Sequence, residues 1–167
     1  MNAGYLFAGA GPLYLIAVAW PLTKIDLRER RLPNKLVLPA FPIAILGHFV
    51  ASALLDQWLS LWLAMGFAAL AFGVGLLLNH FAGLGMGDVK LIAAMTLSLG
   101  WFGGVLPVLA LFLAFVIAGA LVLCQLALGR TSIGVSVALG PYLLSGFALS
   151  TGFLVVTRGF AAGLWFA

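Results

Sequence analysis

Polar side chains in this chain come in small clusters, and the apolar stretches between them are long. Charge appears only at Lys24, Asp26, Arg28, Glu29, Arg30, Arg31, Lys35, Asp56, Asp88, Lys90, Arg130 and Arg158. Several of the uncharged runs between them are long enough to cross a bilayer as helix, for which about 20 apolar residues suffice. They do not alternate apolar with polar positions as the strands of a membrane barrel do. The pattern predicts an all-α membrane protein with six transmembrane helices, at roughly 4–22, 36–55, 58–79, 88–100, 105–128 and 135–156. No repeat or low-complexity linker divides it, so residues 1–167 read as a single polytopic domain.

The uncharged stretch from Leu91 to Gly129 is too long for one crossing at about 1.5 Å per residue, and "GWFGGVLP" is its natural break. The fourth helix is then short, about 20 Å against a hydrocarbon core of about 30 Å. In front of it stands the glycine-rich loop "GLGMGDVKL". Either that helix starts below the surface or the loop dips inward to meet it, and both place Asp88 near or under the membrane boundary. Irregular backbone at that depth persists only beside protein or a water-filled cavity.

Composition agrees with the pattern. The chain is 65% hydrophobic and 7% charged, with a mean hydropathy of +1.24, which excludes a soluble globular domain. The first apolar run has no basic residue before it and a basic cluster after it, the reverse of a cleavable secretory signal, so it reads as a retained span. One cysteine, Cys124, provides neither a disulfide framework nor a CxxC zinc site within the chain.

Charge sets the orientation. The segment "TKIDLRERRLPNK" holds five of the eight basic residues, so it is expected on the cytoplasmic side with both termini outside. The net charge of +4 sits mostly there, which points to anionic lipid beside residues 24–35 rather than to nucleic acid. Alternation puts the Asp56 turn outside and the glycine loop inside. Lys90 and Arg130 agree with this orientation, whereas Arg158 opposes it.

Two of the four carboxylates, Asp26 and Asp88, thus fall on the same side. A carboxylate within or against the membrane is costly, so each is a candidate for function. Brought together they would share a proton, one acting as base on water and the other polarising a carbonyl. Each also has a plain structural account: Asp26 as an exposed ion pair with Arg30 at i, i+4, worth perhaps 0.3–0.5 kcal/mol, and Asp88 as N-cap of the fourth helix. Taken separately, these accounts explain each residue as well as catalysis does.

The surrounding residues carry more. Gly85-Met86-Gly87-Asp88 is a GxGD element, and "IDLRERRLPN" sets Asp26 seven residues before Pro33-Asn34. Both segments resemble the signatures of the prepilin peptidases, polytopic aspartic proteases that remove the leader from type IV pilin precursors. "ALGPYLLSG" resembles the Gly-Pro element of that family's last helix, and the six-span layout is similar over nearly the whole chain. The resemblance implies that Asp26 and Asp88 are the catalytic pair, with no metal and no cofactor, that a prepilin or pilin-like precursor is the partner, and that the protein sits in the bacterial cytoplasmic membrane. Lys90 belongs to the same signature, although a helix anchor that snorkels to the interface is the preferred account of it. Gly85 and Gly87 would let backbone pass close to the dyad.

Larger members of that family carry a tetracysteine insert between the first two spans and also methylate the new N-terminus. Here the connection is only "TKIDLRERRLPNK", so the resemblance does not bring methylation with it. The short form looks most like the peptidases of tight-adherence pilus systems, then the preflagellin peptidases of archaea. Presenilin-like proteases share GxGD, but their YD and PAL elements are missing.

Other readings stay open at this point. A proton-coupled carrier using the two aspartates as a relay is physically permitted, and so is a non-catalytic assembly subunit. The loop is no P-loop or dinucleotide fingerprint, since no GK[ST] follows. His48 and His80 lack ligand-spaced partners, and His80 beside Asn79 reads as a helix end. Asp56 before Trp58 reads as an interfacial turn, and Glu29 as solvated among its arginines. Gly66, Ala69 and Gly73 predict close helix packing.

Overall fold

The computed structural model describes residues 3–129 and 138–161. All regular structure among them is helical: α1 (Ala3–Ala8), α2 (Ala10–Glu29), α3 (Asn34–Val37), α4 (Ala40–Leu55), α5 (Trp58–Ala82), α6 (Met86–Gly100), α7 (Val105–Ala127) and α8 (Gly140–Ala161). Five stretches are long and apolar enough to cross a membrane: Ala3–Glu29, Asn34–Leu55, Trp58–Ala82, Val105–Ala127 and Gly140–Thr157. The fourth expected span, α6, is not among them. It has 15 residues, about 22 Å of helix.

The short helix is the centre of the molecule. Val89 and every residue from Leu91 to Gly100 are buried, with α2, α4, α5, α7 and α8 all packed against this helix. A helix wrapped in protein has no need to match the thickness of lipid, because its ends meet other polypeptide. Leu91, Met95 and Leu99 face Leu15 and Leu22 of α2 and Leu143 and Phe147 of α8 in one continuous core. α7 and α8 pair closely because Gly146 lies against the backbone of Ala110 and Ala114, and the Ser150 hydroxyl donates to Leu106 O at 2.8 Å.

Several boundaries differ from expectation. The first helix does not stop near residue 22. The charged segment continues the α-helical ladder to Glu29, so Ala3–Glu29 runs for 27 residues, about 40 Å, longer than a hydrocarbon core of about 30 Å. Lys, Arg, Glu and Leu are good helix formers, and nothing interrupts them until Arg30. The start of the last expected span, at 135, lies outside the described residues, as does Arg130. A Cβ added at Gly66 or Gly73 would meet no other part of the chain within 4 Å and Ala69 is exposed, so the small-residue stripe on α5 does not pack inside this chain. Asp56 forms the left-handed cap between α4 and α5, at the opposite end of α5 from the glycine loop.

Candidate active site

Leu15, Leu22 and Asp26 recur on α2 at intervals of seven and four residues, which puts the aspartate on the face that the two leucines bury. Asp26 is accordingly 4% exposed, a carboxylate in a core position. Its expected partner is elsewhere. Arg30 takes the left-handed conformation, φ 51° and ψ 39°, and ends the helix by donating its backbone N–H to Asp26 O at 2.8 Å. Among the described residues no lysine or arginine forms an ion pair with Asp26, so the i, i+4 pair with Arg30 is not made. Instead Asp26 Oδ2 accepts the backbone N–H of Gly140 at 3.0 Å in a buried contact. Gly140 opens α8, where backbone N–H groups lack helical partners, so a carboxylate from α2 completes the start of α8.

The second aspartate arrives on α6. Gly83, at φ 71°, ends α5 in the left-handed region, and the Asn79 side-chain amide donates to Leu84 O across the turn. α6 then begins at Met86 with Gly85 as its extended N-cap. Asp88 is therefore in the first turn and is not the cap that sequence allowed, because the helix starts earlier than expected and no side chain caps it. Its carboxylate turns back over Gly85, where a Cβ would lie 2.8 Å from Oδ2. The two glycines of GxGD have different tasks: Gly85 makes room for Asp88, and Gly87 makes room for Leu32, whose Cβ would be 2.9 Å from a Cβ there.

Leu32 joins the two halves. It is 9% exposed and also packs against Gly140, with Cδ2 3.2 Å from where a Cβ would stand. The connection that carries it is pinned at two further points. Lys90 Nζ donates to Asn34 Oδ1 at 3.0 Å, and Tyr14 Oη donates to Leu36 O at 3.0 Å. Lys90 thus ties α6 to the start of α3, a contact that an interface anchor does not require.

These elements enclose a pocket of about 240 Å³ lined by Asp26, Arg30, Arg31, Leu32, Gly85, Met86, Gly87 and Asp88. Both same-side aspartates line it, drawn from segments more than 60 residues apart in sequence. Two carboxyl groups in a space this small supply an acid and a base to whatever enters.

A sequence profile of the type IV leader peptidase family matches residues 13–124. The chain belongs to that family. It is also 33% identical over 153 residues to the prepilin leader peptidase/N-methyltransferase of Escherichia coli strain K12, an alignment covering 89% of this chain and 65% of that protein. The chain thus spans about two thirds of that relative's length. No solved structure matches it.

For this type IV leader peptidase family member, sequence alone named Asp26, Asp88, Gly85, Gly87 and Lys90; the first four line the pocket, and Lys90 bonds to Asn34. It gave no role to Arg31, Leu32 or Gly140, and took Arg30 only as an ion-pair partner for Asp26. Gly140 had a signal, the Gly-Pro pair, while Leu32 had none. His48 lies elsewhere, fully buried on α4 and stacked on Trp101 with centroids 6.0 Å apart. His80 is in the last turn of α5. Among the described residues no three of His, Cys, Asp and Glu gather as a metal site.

Proposed function

We propose that this protein is a membrane aspartic endopeptidase that cleaves the leader from type IV prepilins or pilin-like precursors at the cytoplasmic face of the bacterial inner membrane, with Asp26 and Asp88 as its catalytic pair. The observation that carries this reading is the single small pocket lined by both aspartates in a chain of the type IV leader peptidase family. In the cycle, one carboxylate takes a proton from water as the oxygen attacks the scissile carbonyl, while the other, protonated, donates to the carbonyl oxygen. A tetrahedral diol forms. Its collapse breaks the C–N bond, returns a proton to the leaving amine and regenerates the acid and the base. Gly85 leaves room for the Asp88 carboxylate and Gly87 for Leu32, and Lys90 holds the connection that carries Leu32. The cluster of basic residues at 24–35 argues for a cytoplasmic site bordered by anionic lipid. The short link between the first two spans favours the tight-adherence type of substrate.

Purified protein incubated with a prepilin tests this. A shortened pilin formed without other components is the expected product. Proton flux across vesicles with no cleavage would mean a carrier, and neither activity would mean an assembly subunit.

A further inference from the structure

The pocket has a second electrical feature that the hydrolytic chemistry does not use. Arg30 and Arg31 line it beside the two aspartates, yet among the described residues neither forms an ion pair. Arg28 already lies in the last turn of α2, where a cation suits the negative end of the helix dipole. That effect does not explain Arg30. The left-handed conformation is disfavoured for a residue with a side chain, and this cap position is where glycine is usual.

Building on the peptidase reading, we propose that Arg30 and Arg31 form a subsite for a carboxylate side chain of the precursor, within a few residues of the bond that is cut. A guanidinium presents a planar fork of donors that matches a carboxylate. The dyad and both arginines border one space of about 240 Å³. At about 3.3 Å per residue of extended chain, a group that reaches the arginines there belongs to the same short peptide segment as the scissile bond. The phosphate of a lipid headgroup fits less well, since it would occupy the space the peptide needs. A peptide carboxylate is delivered to the arginines by the bond being presented to the aspartates.

The test uses purified full-length protein in phosphatidylethanolamine vesicles with and without phosphatidylglycerol. The substrates are synthetic precursor peptides with one glutamate at each position within four residues of the cut, and a glutamine-matched set. At one position, glutamate should improve kcat/KM by about tenfold to hundredfold over glutamine, mainly through KM, as expected for a charge-assisted hydrogen bond. Arg30→Gln or Arg31→Gln should erase that preference while still cutting the glutamine peptide. Arg31→Glu should prefer a lysine at the same position, a reversal that misfolding cannot produce. Equal cleavage of glutamate and glutamine peptides at every position overturns the proposal and leaves the peptidase reading intact. So does a rate that follows phosphatidylglycerol content and ignores peptide charge, which assigns the arginines to lipid. Failure of the wild-type protein to cut any peptide overturns both.

Discussion

The backbone N–H of Gly140 donates to Asp26 Oδ2 at 3.0 Å, joining residues 114 positions apart in the sequence. The bond fixes one carboxylate of the pair against the start of α8 and brings the last described helix into the site. It also leaves no space at Gly140, where a Cβ would lie 2.6 Å from Oδ2 and 3.1 Å from the carboxyl carbon.

Gly140→Ala should therefore act on chemistry more than on folding. The added methyl displaces the Asp26 carboxylate, and cleavage should fall by tenfold or more with helix content retained. Gly146 offers the contrast, since a side chain there meets the backbone of Ala110 and Ala114 instead of a movable carboxylate. Gly146→Val should lower the melting temperature, at the roughly 1–3 kcal/mol usual for overpacking. Thermal melts and a prepilin assay on both variants separate the two effects. Full activity in Gly140→Ala would mean that the contact does not hold the carboxylate in working geometry.

Lys90 and Asn34 should behave as one unit. If the 3.0 Å bond between them holds the connection bearing Leu32 over the pocket, Lys90→Met and Asn34→Ala should reduce cleavage by similar factors, and the double variant should be no worse than either. A lysine that only anchors the helix in the interface predicts a silent Asn34→Ala. A double-mutant cycle on kcat/KM distinguishes these.

What the sequence revealed and what it hid follow from the range of the interactions. The helices were legible because lipid imposes long apolar runs, and the aspartates because charge is rare among them. The extension of α2 to Glu29 was hidden, since hydropathy marks where apolar residues end and not where the hydrogen-bond ladder ends. The cap assignment of Asp88 failed by the same margin, because two residues at the helix start decide whether it caps or stands inside. Leu32 is one leucine among many, and only the approach of Gly87 and Gly140 from other helices distinguishes it. No local pattern encodes that meeting.

The two other carboxylates should be dispensable. Asp56 lies at the far end of α5 from the glycine loop, and Glu29 is exposed outside the pocket lining. Asp56→Asn should also preserve the turn, since asparagine accepts the left-handed conformation that Asp56 adopts at φ 53°. Both Asp56→Asn and Glu29→Gln should keep most of the cleavage activity in membranes. Loss of activity in a correctly inserted Asp56→Asn would put the site at the wrong end of the bundle.

Orientation has its own test. Cys124 is exposed and must first be replaced by serine. A cysteine introduced at position 29 should then react with an impermeant maleimide only from the cytoplasmic side, because the basic residues around it are retained there. Labelling from outside alone would invert the topology.

The decisive prediction concerns the pair itself. Asp26→Asn and Asp88→Asn should each abolish cleavage while leaving insertion and helix content unchanged. Asparagine nearly preserves size, and at position 26 its carbonyl oxygen still accepts the Gly140 N–H, so the contact between α2 and α8 survives. What it loses is the ability to take a proton from water or to share one with its partner. Residues that act as a unit are non-additive, so the double variant should be about as inactive as either single one. Purely structural roles predict otherwise: an acceptor for Gly140 is conserved in Asp26→Asn, and a first-turn polar residue is conserved in Asp88→Asn. Processing of a prepilin by the wild-type protein and the three variants, normalised to folded protein in membranes, decides between the accounts. Substantial cleavage by either single variant would remove the aspartic mechanism.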